Sequence, residues 1–487
     1  MPVTTAYPSS RVARGVAIKS THEVLGAAGT RFLPQRLALF GQGNAASTYA
    51  ATKKQVFTSY EVGSLYGFGS PLHLMSKSIF PYVGSIPVTV YPLDVTSAAA
   101  GGTITPSGSV TGSPETYQIV INNIKSDRFI VSSIDTVATM CTTITAAINA
   151  ISDMPVIATD DTTSVGLDAK WHGTSGNNLY IEIISPLNPS ITLTPVQPTG
   201  GTGTPDITAA LAQIGNIWET IIVNALDYTD SDELDEYSVF GELRHDSEVH
   251  KPLQVITGTN EATWATVTAV TDARTADRTN VIIPSPGNDL PFRIAAAAAR
   301  EIAMLANENP AHDYCLRSLS ELTPGADSAQ WTSAQRDAAV KAGCSTIEVR
   351  DGIVKLSDTV TCYHPTGEES PGFRYVVDWA KRCTIINELD LEFNSSKWAG
   401  VPLIPDNQVS TNPAAKRPKD AVASLYRIID VTSLDAILAD PDFAKEASSA
   451  SIGTTNPKRL DVKLVAMLAG NTNVISIDFA SGFNYGS

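Results

Sequence analysis

Between Arg36 and Leu93 the apolar positions change period and then change back. "RLALFGQG" is a short apolar run closed by glycine, "SPLHLMSKSIF" opens with Ser70 and Pro71 placed as an N-cap and a first helical residue, and "IPVTVYPL" is a second apolar run. This predicts a strand, helix, strand unit. After residue 205 the alternation resumes. "ETIIVNAL", "PLQVITG" and "TNVIIPS" read as buried strands, and "SDELDEYSVFGELRH", "EATWATVTAVTDA" and "LPFRIAAAAAREIAMLAN" as the helices between and after them. Strands alternating with helices predict a mostly parallel sheet covered on both faces. "TSAQRDAAVKAG" adds a helix with a Thr332/Gln335 capping box and Gly343 as its stop. In "STIEVRDGIVKLS" the pair Asp351-Gly352 separates two alternating runs, which predicts a hairpin.

Two Gly/Ser/Thr-rich stretches, "TSAAAGGTITPSGSVTGSP" and "TPVQPTGGTGTPD", interrupt this pattern and bracket a region with its own. "ETYQIVINNI" alternates as a strand. Val137, Met140, Cys141, Ile144, Ile148 and Ile151 follow helical spacing, and "VGLDAKW" and "NNLYIEIIS" supply further strands. Linkers at both edges and a private core predict an inserted domain. The last third reads as helical: Val376, Trp379, Cys383 and Ile386 stripe "GFRYVVDWAKRCTIINELDLEF", and "RPKDAVASLYRIID" and "SLDAILADPDFAKEA" follow. Leu460, Val462 and Leu464 then alternate against Asp461 and Lys463. Both chain ends read as extended: Val12, Val16 and Ile18 lie among Arg11, Arg14 and Lys19, and Val474, Ile475, Ile477 and Phe479 interleave with Ser476 and Asp478.

The expected fold is an α/β core with an inserted β-rich α+β domain and extended N- and C-terminal arms. The expected division is an N-terminal arm (1–25), a discontinuous α/β domain (26–96 and 205–365), the insertion (97–204), a C-terminal domain (366–470) and a C-terminal arm (471–487). A chain of 487 residues can bury more than one core.

Composition narrows the function. Charged residues make up 17%, below the roughly 25% of soluble chains. Thr, Ser and Ala take that room, as suits a protein that buries its exterior against copies of itself and equally a secreted monomeric β-protein. A net charge of -16 argues against binding nucleic acid through phosphate neutralisation. Cys141, Cys315, Cys344, Cys362 and Cys383 are odd in number and lack a C-x-x-C pair, so they read as reduced thiols, with neither a disulfide framework nor a zinc site. The N-terminus lacks the unbroken apolar core of a signal peptide, and no stretch approaches the roughly 20 apolar residues of a membrane span.

Candidate chemistry is sparse. "GQGNAA" (41–46) with Glu61 fits a dinucleotide fingerprint, but the helix that should follow at once has no apolar stripe, so a plain glycine turn competes with it. "DYTDSDELDEY" (227–237) lacks the glycine and distal Glu of a calcium loop and reads instead as acids favouring a helix N-terminus. His245 and His250 are five apart and do not converge as metal ligands on a helix; His73, His172, His312 and His364 are solitary. No nucleophile, P-loop or kinase pattern occurs, and no enzyme or cofactor is expected. Lys416, Arg417 and Lys419 form a small basic cluster at the start of a helix, either a solvated face or a contact for an acidic partner.

Taken in order, "GSLYGFGSPLHLM", "VTVYPL", "WHGTSGNNLYIEI", "TIIVNALDYTD", "STIEVRDGIVKLSDTVTCYHP", "AKRPKDAVASLYRIID" and "NPKRLDVKLV" resemble the tail sheath proteins of contractile-tailed bacteriophages of the Mu-like kind. The resemblance spans most of the chain. It implies a subunit that polymerises as stacked hexameric rings around a tail tube and contracts to drive the tube through the host envelope. Its implied partners are further copies of itself, the tail tube protein, and the baseplate and tail terminator proteins, with no direct nucleic acid and no membrane insertion. It implies a place in the virion, and in the host cytoplasm during assembly. By the same resemblance, Val12, Val16 and Ile18 would lie in a subunit-linking N-terminal arm, and Val474, Ile475, Ile477 and Phe479 in a C-terminal donor strand. Leu460, Val462 and Leu464 would belong to the sheet that receives such strands, and Lys416, Arg417 and Lys419 would face the tube. The tail "GFNYGS" departs from the family pattern and leaves the end of the donor strand open. A virion-surface adhesin, with the insertion binding a host receptor, is the alternative.

Overall fold

A computed structural model describes residues 31–80, 82–367, 372–479 and 481. Val12, Val16 and Ile18 therefore lie outside the described residues. The chain from Phe32 to Ala399 gathers with the segment starting at Leu468 into one compact unit, and Gly400–Met467 forms a second.

The apolar runs of the first unit become one six-stranded sheet. Its strands are β1 (Leu37–Gln42), β2 (Lys54–Val56), β3 (Val88–Leu93), and, after a long insertion, β12 (Ile221–Asn224), β13 (Gln254–Thr259) and β14 (Asn280–Pro284), in the order β14-β13-β12-β1-β3-β2. All neighbours are parallel except β2, which runs antiparallel to β3 at the edge. Every residue of β1, β3, β12, β13 and β14 is buried, which is why these strands read as continuous apolar runs.

Alternate residues feed opposite layers. Leu37 and Leu39 of β1 join Val88, Val90, Ile221 and Val223 in one core, and Ala38 and Phe40 join Tyr91 and Ile222 in another. The first core holds helices α1 (Ser59–Tyr66), α2 (Pro71–Ile79) and α7 (Pro291–Glu308); the second takes residues of α4 (Thr208–Ile214) and α5 (Ser231–His245). Close packing follows from small side chains. Ala295 to Ala299 of α7 are fully buried, and a Cβ on Gly258 of β13 would stand 2.0 Å from the Pro291 carbonyl oxygen. Ser70 caps α2 by accepting from the His73 N–H, with Pro71 first in the helix, as its sequence implies.

Between β3 and α4 the insertion builds two antiparallel sheets. One is β11-β4-β9-β8, from β4 (Ala99–Gly108), β8 (Val156–Asp160), β9 (Val165–His172) and β11 (Ile191–Thr199). The other pairs β5 (Glu115–Ile121) with β10 (Ile181–Ile184) on one side and the short β6 (Ile124–Lys125) and β7 (Phe129–Val131) on the other. Helix α3 (Val137–Asn149) buries the Met140, Cys141, Ile144 and Ile148 stripe. The insertion is thus β-rich with one α-helix among its described elements, and "NNLYIEIIS" makes a strand only from Ile181, since Asn177 and Asn178 close a 3-10 turn (Thr174–Asn178).

Helix α6 (Trp264–Asp272) precedes β14; α7 and α8 (Ser333–Lys341) follow it, and α8 carries the Thr332/Gln335 capping box. The hairpin of β15 (Thr346–Arg350) and β16 (Ile353–Asp358) turns at Asp351 and Gly352, whose φ values of 54° and 72° are the left-handed pair such a turn needs. Helix α9 (Val376–Phe393) ends this part.

The second unit contains α10 (Pro418–Leu434), the short β17 (Leu438–Ala439), α11 (Pro441–Ala447), β18 (Ser449–Ile452) and β19 (Leu460–Lys463). "SLDAILADPDFAKEA" is therefore not one helix. Ala436 and Asp440 both have positive φ, and the Asp440 carboxylate restarts the chain as α11 by accepting from the Phe443 N–H at 3.0 Å.

Candidate assembly interface

The residues expected to receive a strand stand on a two-stranded hairpin. β18 and β19 pair antiparallel, with Ile452 opposite Leu460 and Ala450 opposite Val462 on one face, and Ser451 opposite Asp461 and Ser449 opposite Lys463 on the other. Leu460, Val462 and Leu464 are half-buried; Leu464 lies one residue past the strand. No third strand joins this pair among the described residues, so each strand keeps an outer edge of unpaired backbone groups. Ser448 fixes the hairpin below, donating to the Ala444 carbonyl at 2.6 Å and accepting from the Val465 N–H at 3.2 Å.

The basic cluster sits at the first turn of α10. The Arg417 N–H donates to the Asp420 carboxylate at 2.8 Å, the Lys419 N–H to Asp406 at 3.0 Å, and the Lys416 N–H to the Pro402 carbonyl at 2.9 Å. Their backbones are thus held, while the Lys419 side chain is exposed and those of Lys416 and Arg417 are half-buried.

Val474, Ile475, Ile477 and Phe479 are 87%, 74%, 81% and 83% exposed and form no strand in the single chain. Alternating apolar residues make a strand only when a neighbouring strand satisfies their backbone, and none lies beside them here.

The position where a parallel α/β sheet would bind a nucleotide is filled by the chain itself. β1 lies between β3 and β12, so the chain winds outward in both directions from β1, and the carboxyl ends of β1 and β12 flank the crevice that such folds use for ligands. Gln42 at the end of β1 donates to the His172 carbonyl at 2.7 Å, and Asn178 donates to Asp227 beyond β12 at 2.9 Å. Trp171 is fully buried, edge-on to Phe292 at 5.8 Å, and bonds Ser175 through its indole N–H. "GQGNAA" is accordingly a turn under the insertion. The next helix, α1, begins only at Ser59, and Glu61 belongs to its cap, its N–H donating to Thr58 and its carboxylate accepting from the Phe57 N–H.

A second joint binds the insertion to α2. His73, 3% exposed, accepts the Gly69 N–H on Nδ1 at 3.1 Å and turns Nε2 toward Asp153 at 4.0 Å; Asp153 also pairs with Lys77. Burial pushes the His73 imidazole down to about 4. Lys170, donating to the Phe68 and Ser152 carbonyls at 3.2 and 3.0 Å, is lowered by burial to about 8. Nothing in the sequence pattern marked this cluster, because its members are far apart in the chain.

The remaining candidates have structural surroundings. Asp232 and Glu233 occupy the first turn of α5, and burial, then Asp227 and Glu233, raises the Asp230 carboxyl to about 6. His250 pairs with Asp390 at 3.2 Å, and His245 packs edge-on to Phe373 at 5.8 Å. Among the described residues no group of three or more His, Cys, Asp or Glu could hold a metal, and no helix is long and apolar enough to cross a membrane.

No protein-family model matches the chain. Among solved structures, it aligns over 91% of its length with 94% of a sheath tail protein from Listeria innocua (TM-score 0.50, 13% identity). It aligns over 98% of its length with 100% of a chain of the contracted anti-feeding prophage baseplate (TM-score 0.50, 11% identity). The doubly wound sheet with its capping insertion is therefore the sheath-protein fold. In sequence the chain is 26% identical over 349 residues, 68% of each protein, to the Mu-like prophage FluMu tail sheath protein of Haemophilus influenzae. In sequence and in fold the chain is thus similar to contractile tail sheath proteins, and in sequence to one of the Mu-like prophage type.

Proposed function

We propose that this chain is a contractile tail sheath subunit, which polymerises as stacked hexameric rings around a tail tube and contracts to drive the tube through the host envelope. The observation that carries the reading is the exposure of Val474, Ile475, Ile477 and Phe479 in a chain that also offers an unpaired hairpin edge at β18 and β19. The C-terminal segment of one copy adds to the hairpin around Leu460, Val462 and Leu464 of another, with an N-terminal segment through Val12, Val16 and Ile18 linking a second neighbour. Strand addition supplies backbone hydrogen bonds worth roughly 0.5 to 1.5 kcal/mol each, so one link is weak and a lattice of them is firm. Fully extended, Val474–Ser487 reaches about 50 Å, enough to cross to a neighbour.

In this reading residues 26–96 and 205–365 are the sheath body, 97–204 its outer insertion, 366–470 the tube-proximal part, and 1–25 and 471–487 the arms. Lys416, Arg417 and Lys419 face the tube protein; the baseplate and terminator proteins meet the polymer at its ends. The protein is assembled in the host cytoplasm and carried in the virion. An adhesive role for the insertion has no observation specific to it, and its segment from Trp171 to Asn178 is committed to the sheet's crevice. Electron microscopy of the purified full chain tests the proposal. Sixfold rings or tubes are expected, and a field of dispersed single particles at high concentration contradicts it.

A further inference from the structure

The segment bearing Val474 to Phe479 leaves the molecule from a point held by a buried lysine. Lys381 of α9 has a side chain only 1% exposed. Its ammonium donates to Asp378 Oδ1 at 3.1 Å, to the Ala469 carbonyl at 2.6 Å and to Asn471 Oδ1. An ammonium has three N–H groups, so this set is complete. Asp378 is one turn back on the same helix, whereas Ala469 and Asn471 belong to the root of the C-terminal segment. The Asn471 amide in turn donates to the Ala311 carbonyl at 2.8 Å. Beyond Asn471 every residue from Thr472 to Phe479 is exposed.

A groove of about 500 Å³ runs along this root, lined by Asp313, Tyr375, Val377, Asp378 and residues 470–474. Burial, then the neighbouring Asp358 carboxylate, raises the Asp313 carboxyl above its ordinary value. Taking an ammonium out of water is costly unless its bonds are replaced. A methionine of similar length would fill the same space without that cost. What the lysine alone supplies is the pair of bonds to the chain at Ala469 and Asn471.

We propose that Lys381 is a latch that fixes the root of the C-terminal segment, so that Val474, Ile475, Ile477 and Phe479 are offered to a neighbouring copy from one defined point. It is a positioning residue, and its purpose rests on the strand-linkage reading above. The test uses the full chain with Lys381→Met and, separately, Asn471→Ala, which leaves α9 intact should the first variant fail to fold. Amide hydrogen exchange of residues 468–473 speeds up at least about tenfold in both, as expected for losing a hydrogen bond to a charged group, while α9 stays protected. The polymer, read by sedimentation, then needs at least about tenfold more protein to form. Unchanged exchange at 468–473 overturns the latch, and faster exchange with unchanged polymerisation overturns its role in assembly. Polymers formed by a chain ending at Asn473 overturn the linkage reading itself, a result separate from either.

Discussion

Ending the chain at Asn473 removes the four apolar side chains that assembly is proposed to use, and their exposure fixes what that removal does. At 74% to 87% exposed, Val474, Ile475, Ile477 and Phe479 keep so little area against their own chain that losing them costs the monomer about 1–2 kcal/mol in all, on the usual 1.5–3 kcal/mol for a fully buried side chain. The area they have left to bury against a neighbour is worth about 5–10 kcal/mol before the cost of association. Folding and assembly therefore separate. The truncated chain melts within about 4 °C of the full chain by circular dichroism. In sedimentation velocity it runs as a monomer where the full chain runs as a polymer. Polymers of the truncated chain, or a melting point lowered by much more than 4 °C, refute the reasoning, the second because it would mean the segment packs on its own subunit.

Three further outcomes follow from the fold. His73 is held neutral in the folded state with its imidazole near 4 against 6.5 for the free group, so its own contribution to stability is whole above pH 6.5 and about 3 kcal/mol of it is lost as pH drops toward 4; in urea melts at pH 7 and pH 4, His73→Asn, which keeps an acceptor for the Gly69 N–H, shows a smaller fall, and equal falls contradict this. Gly258→Ala sets a Cβ against the Pro291 carbonyl of α7 and costs about 3 kcal/mol or more in a denaturant melt, where a loss under 1 kcal/mol would show that the helix moves freely off the sheet. Of the five thiols only Cys315 is exposed, and its pKa is raised by burial and then Asp313, so a thiol reagent labels one cysteine slowly in the native chain and all five in denaturant; rapid native labelling of several contradicts the packing.

The sheet was legible because strands buried on both faces become unbroken apolar runs, α8 because its start carries a capping box, and α5 because acids fill its first turn. Helices α1 and α4 were not: Gly63 interrupts α1 and packs under Phe68 and His73, and α4 is a short apolar turn that reads like linker. The single-helix reading of "SLDAILADPDFAKEA" failed where Ala436 and Asp440 take left-handed backbone that helical spacing alone does not reveal. Lys381 went unread because Val377, Lys381, Thr384 and Glu388 form a second buried face of α9 beside the Val376, Trp379, Cys383 and Ile386 stripe, and a lysine at helical spacing looks like solvent until its partners near Ala469 are placed. The crevice fill between Gln42 and Asn178 is likewise a meeting of distant segments, although the missing helix after "GQGNAA" was a sequence-level sign that the turn served something other than a nucleotide.

The central claim is that the C-terminal segment of one copy pairs with the β18 and β19 hairpin of another, and engineered disulfides test it most directly. With Cys315→Ser as background, Ile475→Cys is combined with Ser451→Cys on β18 or, separately, with Asp461→Cys on β19, and the assembled protein is oxidised. The account expects a ladder of covalent multimers from at least one pairing, lost when the same chain is oxidised dilute. Covalently closed monomers alone, or no cross-link from either pairing in assembled material, would contradict it.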